Sequence, residues 1–167
     1  LRPTILAAMV AASFGVSAAD RIDLSAGASN SAKSKSIVSA SSNASARAHE
    51  VLGLNVGDLK ALRSQKYGNK VVTRYEQLHQ GVPVWGEVIV EHADSTQSIV
   101  SSSARSFHGA MLSNLTNDIP SVKPLYSATQ ALGLLKNAKR ASGTSNEQTK
   151  LFVKQASNGV AKLVYLT

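Results

Sequence analysis

The chain has 167 residues, a formal net charge of +8 and no cysteine. That length suits one medium domain or two small ones, and the absence of cysteine excludes a disulfide scaffold, a thiolate metal site and a cysteine nucleophile. The positive residues, among them Arg47, Lys60, Arg63, Arg74, Lys136 and Lys162, are scattered, with few aromatics between them. Nucleic-acid recognition would cluster them, so no nucleic-acid partner is expected. A basic surface facing an acidic protein partner fits the same charge.

The N-terminal segment LRPTILAAMVAASFGVSAA places Arg2 before an apolar run and then small residues. Val16-Ser17-Ala18 or Ser17-Ala18-Ala19 offers small side chains at the two subsites a signal peptidase reads. Residues 1–19 are therefore expected to be a signal peptide cleaved beside Ala18 or Ala19, and the mature chain to lie outside the cytoplasm, secreted through the bacterial export pathway. No apolar run reaches the ~18 residues that span a bilayer, so no membrane association is expected beyond export. Residues 20–43, dominated by Ser and Ala, read as a linker that buries too little apolar surface to offset its ordering entropy.

Between 44 and 54, Ala48, Val51 and Leu52 recur at helical spacing and Gly53 can end the turn. The next segment, DLKALRSQKYGNK, fits a helix or a strand by periodicity. Residues 71–79 alternate as a strand, with Val71, Tyr75 and Gln77 on one face and Val72, Arg74 and Leu78 on the other. Gln80-Gly81-Val82-Pro83 predicts a turn, and 84–91 a second strand closing an antiparallel hairpin. Gly86 inside that strand predicts a bulge or a close backbone approach. A third strand is expected within 98–108, and a polar boundary from about 110 to 124. Ser127 and Gln130 form a capping box before an Ala/Leu-rich helix. Two final strands flank Ser157-Asn158-Gly159, a hairpin signal.

Catalytic constellations are absent from the sequence. His49-Glu50 begins a zinc-protease HExxH pattern, but Gly53 stands where the second histidine must be. His79, His92 and His108 have no ligand spacing among themselves. Glu76 and Glu87 could face each other across the hairpin as an acid/base pair, and two ordinary strand charges explain them as well. No GxSxG elbow, P-loop or GxGxxG occurs. No catalytic, metal-binding or cofactor-binding residue is assigned to this chain.

The stretch from Arg74 to His92, RYEQLHQGVPVWGEVIVEH, resembles the fungalysin/thermolysin propeptide domain. That family's pattern is roughly R-Y-x-Q, an aromatic, then x-G-[IV]-P-V-aromatic-G and a β-branched run ending in His. Arg74, Tyr75, Gln77, Gly81, Pro83, Val84, Trp85 and Gly86 match it, while His79 stands where the family often has Tyr. The resemblance makes residues 59–64 a strand. Trp85 is open to two readings, a core residue or an interface anchor, with the core preferred. Residues 111–167 are similar to a PepSY module, a capped helix followed by a hairpin. The fold class expected is therefore α+β, two small modules each with a helix packed on an antiparallel sheet, spanning 44–110 and 111–167.

The resemblance implies the pro-region of a secreted thermolysin-like zinc metalloendopeptidase, acting as intramolecular chaperone and inhibitor. Its partner would be the catalytic domain of its own precursor, and zinc, with calcium, would belong to that domain rather than to these residues. The rival readings are a free-standing secreted PepSY-type inhibitor or binding protein, and a cell-envelope module that binds anionic polymer.

Overall fold

A computed structural model describes residues 18–25, 37, 47–94, 105–139 and 148–166. Most of the expected signal peptide and of the Ser/Ala-rich segment lies outside them. The described residues form a mixed α and β structure dominated by antiparallel sheet. The main sheet runs β1 (Asp20–Asp23), β6 (Arg105–Ser113), β5 (Ile89–Asp94), β3 (Lys70–His79) and β2 (Leu59–Tyr67), with the short β4 (Val82–Pro83) also paired to β3. A separate two-stranded sheet joins β7 (Lys150–Gln155) and β8 (Ala161–Leu166). The helices are α1 (Ala48–Leu52), α2 (Leu115–Asp118) and α3 (Ala128–Lys139).

Several expectations hold for the reasons given. Gly53 ends α1 in the left-handed region at φ 65°, where a glycine has no Cβ to strain. Residues 59–67 are a strand, as the resemblance implied. The capping box before α3 is reciprocal: the Gln130 amide donates to the Ser127 hydroxyl at 3.3 Å, and the Ser127 amide to the Gln130 side chain at 2.9 Å. Asn158-Gly159 turns β7 into β8 with Gly159 at φ 84°.

Other expectations are corrected. Asp20–Asp23 sit in the expected linker yet form β1, an edge strand on β6, because Ile22 and the neighbouring Leu24 bury completely. Ile37 is buried in the same core. The third strand runs to Ser113, beyond the expected end and into the expected boundary. Its Ala110, Met111 and Leu112 are all buried because the two faces of the strand pack into different cores. A strand covered on both faces shows an unbroken apolar run instead of alternation. α3 has no buried residue at 128–138, and Leu134 and Leu135 stay exposed, so a helix packed on the second sheet is not what the described residues display.

The first core gathers Ile22, Val51, Leu52, Ile89, Phe107 and Met111 under α1. The second gathers Ala19, Val84, Leu112, Ile119, Val153 and Ala161. It draws on the N-terminal strand, the hairpin, the expected boundary and the last two strands together.

Candidate functional site: the propeptide-like hairpin

The hairpin tip is a two-residue turn. Gln80 and Gly81 both take positive φ, 50° and 85°, as the hairpin turn that matches strand twist requires. Val82 and Pro83 then pair with His79 and Leu78. The second strand does not continue as expected. After Val84 the chain leaves β3, turns through Trp85 and Gly86, and rejoins it only at Ile89 opposite Tyr75. Gly86, at φ 89°, makes that departure possible.

The excursion connects the two sheets. Val84 bridges to Val153 of β7 in parallel fashion, and the Trp85 amide donates to the Val153 carbonyl at 2.7 Å. Trp85 meets Phe152 edge-on, centroids 5.3 Å apart, and remains 48% exposed. The preference for a buried core tryptophan is thereby corrected: it packs one edge on β7 and offers the rest to solvent.

Where β5 is missing beside the end of β3, a side chain takes its place. Gln77, 1% exposed, donates from Nε2 to the Leu112 carbonyl at 2.6 Å and accepts the Leu112 amide on Oε1 at 2.8 Å. A primary amide offers the same donor and acceptor as a peptide group, so Gln77 supplies to β6 what a neighbouring strand would. The next inward residue, His79, donates from Nε2 to the Ile119 carbonyl at 2.8 Å, and Gln80 reaches the Pro120 carbonyl at 3.1 Å. A tyrosine here could also offer a hydroxyl donor, so the departure from the family pattern keeps the chemistry.

Tyr75 anchors the third inward position. Its hydroxyl donates to Glu91 Oε2 at 2.6 Å, and Arg105 binds the other carboxylate oxygen. Burial and the adjacent carboxylate push the Tyr75 phenol far above its ordinary range. Glu91 is buried at 7% exposure and has both oxygens engaged. Tyr75→Phe removes one charge-assisted bond from that buried carboxylate. The expected cost is about 1–3 kcal/mol, read as a lower urea midpoint with an unchanged slope.

The opposite face of the same sheet is polar and open. Arg74 lies directly across from Arg63, both exposed, and no salt bridge engages either among the described residues. Lys60 pairs with Glu76 and Lys70 with Asp94 in register. His92 and His108 meet edge-on at 5.0 Å on this face. Like charges directly opposite in a sheet oppose folding, so the Arg63/Arg74 pair is not explained by stability.

Glu76 and Glu87 are not left as a free acid/base pair. Glu87 is held by Arg21 at 2.9 Å, and Glu76 faces Lys60. Among the described residues no group of three or more His, Cys, Asp or Glu is arranged to hold a metal ion. No described helix is long and apolar enough to cross a membrane. Glu91, Arg105 and Leu112 escaped sequence reasoning. Only Glu91 carried a signal, since it shares the inward alternation of Ile89.

Residues 57–105, which hold the hairpin and most of the polar face beside it, match the Fungalysin/Thermolysin Propeptide Motif family. The match is confined to these residues. It is similar to the "Hemagglutinin/proteinase" of Vibrio cholerae serotype O1, 34% identical over 114 residues, which cover 64% of this chain and 18% of the relative. It is also similar to the "Neutral protease" of Vibrio proteolyticus, 27% identical over 128 residues, covering 72% of this chain and 20% of that protein. The chain thus spans about a fifth of the length of the curated relatives it matches. Within the propeptide motif, the signature residues divide by direction. Tyr75 and Gln77 point inward and tie strands together, Gly81, Pro83, Val84 and Gly86 shape the turn and the excursion, and Arg74 points out with Trp85 half-exposed.

Proposed function

We propose that this chain is the pro-region of a secreted thermolysin-like zinc metalloendopeptidase precursor and serves the catalytic domain of that precursor as intramolecular chaperone and inhibitor. The propeptide motif over 57–105 is the observation that carries the reading. Similarity to two Vibrio proteases supports it. On this reading the chain cleaves no bond itself. Zinc and calcium are held by the catalytic domain, and residues 111–167 are a PepSY-like continuation.

The mechanism is binding. A large protease meets a high folding barrier when distant contacts form late, and a preformed surface that binds the folding nucleus lowers it. The exposed Arg63/Arg74 pair and the half-exposed Trp85 are the groups assigned to that contact. Two exposed arginines opposite each other in the sheet suit carboxylates on an acidic partner, and a half-exposed tryptophan is a common anchor. Remaining bound over the cleft would then block substrate until the junction is cut.

Refolding the denatured catalytic domain of the same precursor with and without this chain tests the proposal. Active enzyme is expected to recover at least about tenfold better with the chain present, and excess chain is expected to suppress peptidase activity of the folded enzyme. Equal recovery removes the chaperone role, and undiminished activity removes inhibition.

A further inference from the structure

Ala19 is held more firmly than a residue at the edge of a linker needs to be. It is 4% exposed within the second core. Its backbone nitrogen donates to Asp118 Oδ2 at 2.9 Å, and its carbonyl accepts from Gln155 Nε2 at 2.7 Å. Asp118 Oδ2 also accepts the Ala161 amide at 2.7 Å. A carboxylate is thus aimed at the nitrogen of a residue that the sequence places beside an expected cleavage point. Ala18, one residue earlier, is only partly covered.

We propose that signal removal cuts between Ala18 and Ala19, and that the α-ammonium group so created is seated on the Asp118 carboxylate as an internal ion pair. Hydrolysis adds water across the Ala18–Ala19 peptide bond. The Ala18 carbonyl carbon leaves as a carboxylate on the released peptide, and the Ala19 nitrogen takes up protons to become an ammonium. One N–H keeps its bond to Asp118, now charge-assisted, and the space vacated by Ala18 lets water reach the other two. The alternative cut, after Ala19, would discard the residue that contributes both the Asp118 and the Gln155 bonds. The structure therefore assigns one of the two cleavage points the sequence leaves open. Processing and folding are coupled: removal of the signal strengthens an attachment of the N-terminal strand to α2 and β8. This inference rests on the signal-peptide reading and goes beyond the chaperone role, which it does not require.

Two measurements test it. N-terminal sequencing of the chain exported from a bacterial host is expected to begin at Ala19; a start at Asp20, or an uncut chain, overturns the assignment. Independently, a chain purified with Ala19 as its first residue is compared with one beginning at Ala18, in which the Ala19 nitrogen is an amide. The Ala19 chain is expected to have an unfolding equilibrium constant about tenfold smaller at neutral pH. Asp118→Asn is expected to abolish that difference. Equal stability of the two chains, or an Asp118→Asn cost identical in both, overturns the ion pair. If Asp118→Asn does not fold, acetylation of the Ala19 amine serves instead, and an acetylated chain as stable as the free amine overturns it equally.

Discussion

Gly109→Ala is expected to lower the denaturant midpoint sharply, and well beyond the loss from Gly81→Ala. Gly109 takes φ 93°, and a Cβ built there would overlap the Val88 carbonyl oxygen and crowd its carbon. That carbonyl is also the acceptor for the Ala110 amide at 3.0 Å, so it cannot retreat without losing a bond. Strain in this region of φ costs about 1–3 kcal/mol, and displacing the start of β5 adds to it. A loss of about 3 kcal/mol or more is expected in urea titration, a large share of the ~5–15 kcal/mol that stabilises an ordinary domain. Gly81→Ala is the comparison: it also has positive φ but meets nothing within 4 Å, so it should lose only the backbone term. Equal losses at the two positions would show that the close approach to Val88 does not matter.

Gln77→Leu is expected to be nearly as damaging for a different reason. Leucine fills much of the same space but leaves the Leu112 amide and carbonyl buried without partners. Each orphaned group costs about 1–3 kcal/mol, so about 2–6 kcal/mol is expected in total. Hydrogen exchange gives the specific signature. The Leu112 amide should exchange faster than its neighbours on β6 even after correction for global stability. Gln77→Glu should keep the amide's acceptor and place a carboxylate against the Leu112 carbonyl, so it should lose the carbonyl's bond while protecting the amide. A Leu112 amide equally protected in all three proteins would mean that Gln77 does not close the gap beside β6.

The hairpin was legible because its determinants are local. Alternation assigned Tyr75 and Gln77 to one face and Arg74 to the other, and Gly81 marked the turn. What those side chains touch was not legible. Gln77 bonds a residue 35 positions away and His79 one 40 positions away, and neither spacing leaves a trace in the sequence. β1 was hidden because four residues with a single buried isoleucine, DRID, look like any polar segment until β6 is beside them. The end of β6 was hidden by being covered twice, which replaced alternation with an apolar run. Gly86 signalled an irregularity correctly, but the four-residue departure from β3 depends on β7 being there to receive Trp85. Strands and turns are written locally, whereas the joining of the two sheets is written in pairs of distant residues.

The placement of β1 also sets the order of assembly. Its partner, β6, is encoded about ninety residues later, with Asp20 opposite Ser113. As the polypeptide emerges N-terminus first, β1 has no edge to join until most of the described chain has been made. The meander from β2 to β6 can pair neighbour with neighbour as each strand appears, and so can close early, while the first strand must wait and dock late. A destabilising change in β1 should therefore speed unfolding and leave the refolding rate almost untouched, the behaviour of a clasp fastened after the sheet is built.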